Sequence, residues 1–181
     1  KELFFFFFVI GEKFAEELIN MGITSIEELK KRKDEKIRGK NKLKLLNDKQ
    51  QIGLKYYEDI MERIPREEIE NYQKSLEEHF INTINEANES TLDHKFEIVG
   101  SYRRQKQDSG DIDVIITATN DNKIVFNKFL DKLKKENLIE EFLSRGDVKS
   151  LVIGRLNKDS LARRVDFLYS PPDEYPFATL Y

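Results

Sequence analysis

Ser109-Gly110-Asp111-Ile112-Asp113-Val114-Ile115-Ile116 reads as a tight turn running into a strand, and the alternation within it decides how the strand is used. Successive strand side chains point to opposite faces, so Asp111 and Asp113 share one face while Ile112, Val114 and Ile116 take the other. The apolar set belongs against a core, and the two carboxylates converge on one spot. A third aspartate, Asp166, follows Arg164 and Val165 at the start of another apolar run. If that strand pairs nearby, three carboxylates meet and form a donor set suited to hard divalent cations. Upstream, the apolar run Phe96 to Val99 leads into Gly100-Ser101-Tyr102-Arg103-Arg104. A small hydroxyl residue, a flexible turn and an arginine beside a carboxylate cage are what a triphosphate requires. A calcium or plain surface site would explain neither the glycine-serine turn nor the arginine.

The bulk composition sets wide bounds. The chain has 181 residues, 39% of them hydrophobic, enough for one ordinary domain or two small subdomains with a core. Charged residues make up 36%, and the net charge of -3 gives no sign of nucleic-acid binding. Local charge does: from Lys30 to Lys55 there are 11 basic residues against 3 acidic ones, a balance of +8. Such a block can neutralise several phosphates, and it can equally be a solvated loop. With no cysteine, disulfides and cysteine-ligated zinc are excluded. His79 falls in a helical pattern and His94 in a polar loop, so both read as surface residues. Phe4 to Phe8, followed by Val9 and Ile10, is too short to span a bilayer and lacks the flanks of a secretory signal. The reading is therefore a cytosolic or nuclear chain.

Along the chain the pattern switches character near Pro65, and the period changes from helical to alternating after Asn88. Phe14 to Met21 reads as a helix with Phe14, Leu18 and Met21 on one side, closed by Gly22. A second helix runs from Ser25 to Lys31, with Ser25 as N-cap and Glu28 completing a capping box. A third covers Lys49 to Arg63, where Ile52, Tyr56, Ile60 and Ile64 fall four apart and place Tyr56 in the core. After Pro65, Arg66 to Asn88 is a long helix with Glu67, Glu68 and Glu70 near its start. Strands follow at Lys95 to Val99 and Asp111 to Thr117, then a helix at Ile124 to Glu136. Val148 to Leu156 and Ala162 to Tyr169 read as a hairpin turning at Asn157 to Ser160.

Six segments in this order carry a resemblance: Gly22-Ile23 behind a helix, Ile52-Gly53-Leu54-Lys55-Tyr56-Tyr57, Arg63-Ile64-Pro65-Arg66-Glu67-Glu68, Gly100-Ser101-Tyr102-Arg103-Arg104, Ser109-Gly110-Asp111-Ile112-Asp113 and Arg164-Val165-Asp166. Together they resemble the X family of DNA polymerases, and its beta- and lambda-like members in particular. The resemblance implies an α+β chain in two parts. A helical, fingers-type helix-hairpin-helix subdomain over 1–66 would bind DNA, and a nucleotidyltransferase palm with a mixed or antiparallel sheet would occupy 67–181. By the same likeness Asp111 and Asp113 would bridge two Mg2+ ions, replaceable by Mn2+, and Asp166 would hold the ion that activates a primer 3'-hydroxyl. Gly100, Ser101, Arg104, Ser109 and Gly110 would hold the incoming deoxynucleoside triphosphate. The implied activity is gap-filling, DNA-directed DNA synthesis by a monomer acting on gapped or primer-template duplex.

The residues fit those roles on chemical grounds. In-line transfer needs one cation to acidify the attacking hydroxyl and another to neutralise the leaving pyrophosphate. A guanidinium at Arg104 offers planar two-pronged donation to phosphate, and Arg103, adjacent, faces elsewhere. Arg164 shares a face with Asp166 and can orient its carboxylate. Gly11, Lys13, Lys49 and Lys55 are the candidates for DNA contact.

Three departures from the family pattern stand out. Val9-Ile10-Gly11 has one glycine where the DNA-binding hairpin usually has two, and valine resists the left-handed backbone needed there. Gln105 replaces the glycine that commonly follows the two arginines. The C-terminal subdomain that closes over the base pair and the N-terminal lyase domain are not in this sequence, so a core fragment without lyase activity is expected. Two rival readings use part of the pattern. A nucleotidyltransferase acting on RNA ends or small molecules would not need the hairpin or Arg63 to Glu68, and a silent DNA-binding module would not need three carboxylates.

Overall fold

The computed structural model describes residues 11–35 and 45–180. The Phe4 to Phe8 run, Val9 and Ile10, and the basic residues from Lys36 to Lys44 lie outside them. The chain divides into two compact units, 1–57 and 58–181.

In the first unit, helix α1 (Glu12–Asn20) ends at Gly22, which adopts φ 80. The Gly22 N–H donates to the Ile19 carbonyl and the Ile23 N–H to the Leu18 carbonyl, both at 2.9 Å, so the left-handed glycine satisfies carbonyls that the helix leaves over. Helix α2 (Ile26–Arg32) is capped by Ser25, whose side chain accepts from the Glu28 N–H. The reciprocal bond of the expected box is displaced by one residue: Glu28 accepts from the Thr24 N–H at 3.0 Å. Helix α3 (Asp48–Lys55) carries a complete capping box between Asn47 and Gln50. Ala15, Leu18, Ile23, Ile26, Leu29, Leu45, Leu46 and Leu54 form the core of this unit. The single helix expected over Lys49 to Arg63 is two helices, α3 and α4 (Tyr57–Met61). The break falls at Tyr56, whose backbone leaves helical geometry at φ -102 and ψ 10 while its ring stays buried as the spacing predicted.

The second unit holds a five-stranded mixed sheet. Its elements are β1 (Ile64–Pro65), α5 (Arg66–Glu86), β2 (His94–Val99), β3 (Asp108–Ser109), β4 (Ile112–Ala118), α6 (Ile124–Lys135), β5 (Ile139–Arg145), β6 (Lys149–Gly154), β7 (Arg163–Tyr169) and α7 (Tyr175–Ala178). The strand order is β2-β4-β7-β6-β5, with β4 and β7 parallel and the other neighbours antiparallel. A separate two-residue ribbon joins β1 to β3. The predicted hairpin is β6 to β7, and its turn is closed by bonds from the Asp159 N–H to Asn157 Oδ1 at 3.0 Å and from the Ser160 N–H to the Asn157 carbonyl at 3.2 Å.

Helices α5 and α6 cover one face of the sheet. Phe80 from α5 and Phe129 from α6 meet edge to face at 5.3 Å between centroids, and Phe129 meets Phe167 of β7 in the same way at 5.9 Å. Ile112, Val114 and Ile116 join this core, as the alternation required. Strand β5 was not legible because its register with β6 shifts twice, between Ile139 and Glu141 and between Phe142 and Ser144, which breaks the period-two pattern. His94 is a correction: it opens β2 and is buried rather than sitting in a polar surface loop, with its ring edge-on to Phe80. His79, on α5, is half-buried and its Nε2 lies 2.7 Å from Glu136.

Candidate active site

The parallel pairing of β4 with β7 sets Asp113 directly beside Asp166. Parallel neighbours present side chains to the same face, so the two carboxylates lie side by side on the face that the helices leave open. Asp111, two residues before Asp113, joins them, and one carboxylate oxygen from each of the three aspartates lies within 4.8 Å of the others. All three are half-buried.

Burial raises the Asp113 pKa to about 6, and repulsion from Asp111 and Asp166 adds to the effect against the pull of Arg164 and Lys149. The Asp166 pKa is raised by burial as well, with Arg164 working against the shift and Asp111 reinforcing it. Three oxygen donors that repel one another in a partly desolvated pocket could hold a hard cation, since a divalent ion would relieve both the repulsion and the desolvation. Arg164 Nη2 donates to both oxygens of Asp166 at 3.3 Å, as the shared face predicted.

A cavity of about 500 Å3 opens over the aspartates. Gly100, Ser101 and Arg104 line it from one side and Lys149 and Leu168 from the other. Gly100 leaves β2 with φ 71, a conformation natural only to glycine. Ser101 donates to Ser109 Oγ at 2.5 Å, tying the two hydroxyls predicted to face phosphate to each other. Ser109 itself is buried in β3, and Gly110 follows it immediately before Asp111. Arg103 points away, with its Nε 3.7 Å from Glu97 Oε1.

The other sequence candidates lie in the first unit. Gly11 is the N-cap of α1 at φ 85, and Lys13 is exposed in the first turn of that helix. Lys49 is exposed near the start of α3, and Lys55, exposed at its end, holds its Nζ 5.0 Å from the Tyr56 ring centroid.

Three residues that support the site were not singled out in the sequence. Lys149 reaches the aspartate face because β6 runs antiparallel to β7 with Leu151 opposite Asp166 and Lys149 opposite Leu168. That signal exists only once the register is fixed. Arg163 is buried and forks onto Glu68 at 2.8 and 2.6 Å while also donating to the carbonyls of Glu62 and Arg63. It thereby fixes the start of β7 against the start of α5. Arg66 donates to the Tyr102 carbonyl at 2.9 Å, inside the glycine-serine turn. The motif Arg63 to Glu68 is thus a set of struts around the site: Arg63 also pairs with Asp108 at 2.8 Å.

Comparison with known proteins also finds two parts, with the boundary between residues 61 and 63. The family model described as DNA polymerase beta palm matches residues 63–172, and the one described as fingers domain of DNA polymerase lambda matches residues 7–61. DNA polymerase lambda of Rattus norvegicus is 30% identical over 188 residues, covering 99% of this chain and 30% of that protein. DNA polymerase lambda of Arabidopsis thaliana is 29% identical over 184 residues, 94% of this chain and 31% of that protein. A DNA nucleotidylexotransferase of Xenopus laevis is 23% identical over 210 residues, 96% of this chain and 38% of that protein. The chain spans about a third of the length of these curated relatives.

Proposed function

The chain belongs to the X family of DNA polymerases, and from that premise we propose that its second unit is a nucleotidyl-transfer site that adds a deoxynucleotide to a primer 3'-hydroxyl with release of pyrophosphate. The observation that carries this reading is the register of Asp113 beside Asp166 on parallel strands, with Asp111 converging on them under the Gly100 to Arg104 turn.

Asp111, Asp113 and Asp166 would hold two Mg2+ ions, for which Mn2+ can substitute. Bound there, the cations would acidify the attacking hydroxyl and neutralise charge on the leaving pyrophosphate. The chain's own groups do the rest. Arg104 donates to the triphosphate from the cavity wall, the Gly110 backbone offers a neutral donor, the Ser101 hydroxyl offers another once it turns from Ser109, and Arg164 fixes the rotamer of Asp166. Lys149 adds positive charge on the same face without competing for the metal.

The substrates proposed are gapped or primer-template DNA and a deoxynucleoside triphosphate. Gly11, Lys13, Lys49 and Lys55 are proposed to contact the DNA backbone, with the salt dependence that phosphate contacts bring. The test is Mg2+-dependent extension of a primer on a one-nucleotide gapped duplex, run beside a single-stranded primer and an RNA end, with Asp166→Ala as control. Extension of the gapped duplex that fails in Asp166→Ala supports the reading. Extension of the RNA end alone would replace it with the rival nucleotidyltransferase.

A further inference from the structure

The turn Gly100 to Arg104 has to hold Ser101 and Arg104 still, yet it is neither helix nor strand. Its own backbone supplies some order. The Arg104 N–H donates to the Gly100 carbonyl at 3.2 Å, the Gln105 N–H to the Tyr102 carbonyl at 3.0 Å, and the Lys106 N–H to the Ser101 carbonyl at 3.2 Å. These bonds close the turn on itself without fixing it to anything else.

Besides the Ser101–Ser109 bond and the Arg103–Glu97 pair, the turn is attached to α5 through Tyr102. Arg66, the first residue of α5, donates Nη1 to the Tyr102 carbonyl at 2.9 Å and lays its guanidinium 4.3 Å from the Tyr102 ring centroid. Gln73 lies about two turns farther along the same helix face and accepts from the Tyr102 hydroxyl at 2.9 Å. Tyr102 is therefore gripped at its carbonyl, its ring face and its hydroxyl by two residues of one rigid helix. The backbone N–H of Arg66 also donates to the Gln107 carbonyl at 2.9 Å, extending the β1–β3 ribbon that anchors Ser109. One residue thus ties down the near and far parts of the segment from Gly100 to Ser109. Among the described residues that line the cavity, Arg66 does not appear.

We infer that Arg66 is a positioning residue for the nucleotide site, acting through Tyr102 to hold Ser101 and Arg104 where a triphosphate meets them. The inference rests on the nucleotidyl-transfer reading. Only arginine fits the position, because a planar guanidinium can stack on a ring and donate in its own plane at once, while a lysine ammonium is a point charge on a flexible stem. A strut of this kind acts on nucleotide affinity, since misplacement of contact groups by an ångström weakens binding and rate while the metal ligands stay in place.

The test measures dissociation constants for Mn2+ alone and for a deoxynucleoside triphosphate in saturating Mn2+, in wild type, Arg66→Lys, Arg66→Ala and Tyr102→Phe, with thermal unfolding of each. Arg66→Lys is expected to weaken nucleotide binding about tenfold and Arg66→Ala further, with Mn2+ affinity in the absence of nucleotide unchanged. Tyr102→Phe, which loses the Gln73 bond alone, is expected to fall between wild type and Arg66→Lys. In primer extension the same variants should raise KM for the nucleotide more than they lower kcat. Nucleotide affinity at the wild-type level in both Arg66 variants overturns the inference, as does a parallel loss of Mn2+ affinity, which would mark a general structural role. Wild-type protein that binds Mn2+ and no nucleotide would instead sink the nucleotidyl-transfer reading, and this inference with it.

Discussion

A Cβ atom placed on Gly100 would lie 2.6 Å from Oδ2 of Asp113, closer than non-bonded atoms tolerate. The turn that carries Ser101 and Arg104 therefore sits directly against a carboxylate of the aspartate cluster, with no room for a side chain between them. Gly100→Ala should push Asp113 off its position and strain a backbone at φ 71, lowering stability by about 1–2 kcal/mol. Metal affinity and primer extension should fall about a hundredfold or more, since the displaced group is a proposed ligand. Mn2+ titration and thermal unfolding of the variant check both parts.

The carboxylate cluster predicts opposite pH trends with and without metal. Asp113 has an ordinary pKa of 3.8 and a folded value of about 6, and that of Asp166 is shifted the same way. Between these values the folded state binds more protons than the unfolded state, so metal-free stability falls as pH rises through that window. Metal binding requires ionised carboxylates, so affinity rises over the same window as protons are displaced. Tm measured in chelator should decline from about pH 4 to above pH 6, and the decline should flatten in Asp113→Asn. Tm in saturating Mn2+ should climb instead. A chelator curve of equal slope in wild type and Asp113→Asn would contradict the account.

Gln105 has φ 58, in the left-handed region where a side chain is strained, and it stands where the family commonly has glycine. The replacement is tolerated at a cost rather than accommodated. Gln105→Gly relieves about 1–2 kcal/mol of strain and adds about 0.5–1 kcal/mol of unfolded-state entropy, so a small net stabilisation is expected. Denaturant unfolding should show a higher midpoint with an unchanged slope. A lower midpoint would mean that the Gln105 side chain contributes more than its backbone loses.

Arg163 is 4% exposed and is held by both carboxylate oxygens of Glu68. Arg163→Met leaves a part-buried Glu68 and the carbonyls of Glu62 and Arg63 without their donor, which should lower stability by about 1–3 kcal/mol. Adding Glu68→Leu should recover a large part of that loss, because the desolvated carboxylate is removed as well. Chemical denaturation of the two proteins measures the recovery.

The fold and the aspartate cage were legible because they rest on short-range rules. Alternation alone put Asp111 and Asp113 on one face and Ile112, Val114 and Ile116 on the other, and the shared face of Arg164 and Asp166 follows from the same rule. What stayed hidden depends on register and on long-range packing. The register shifts of β5 erased its alternation, Lys149 came to the site only through its pairing opposite Leu168, and buried His94 looked polar because its neighbours in sequence are polar. The motif from Arg63 to Glu68 was legible as a resemblance. Its physical role, bracing Asp108, Tyr102 and Arg163, required contacts across 36 to 95 or more positions of chain.

Whether Asp111, Asp113 and Asp166 form one metal centre under the Gly100 to Arg104 turn is decided by counting bound Mn2+ by electron paramagnetic resonance in the presence of a non-hydrolysable deoxynucleoside triphosphate. About two ions are expected per wild-type chain, falling in both Asp113→Asn and Asp166→Ala with the fold intact. Mn2+ binding that either variant leaves unchanged, or its absence in the wild type, would contradict a single shared centre.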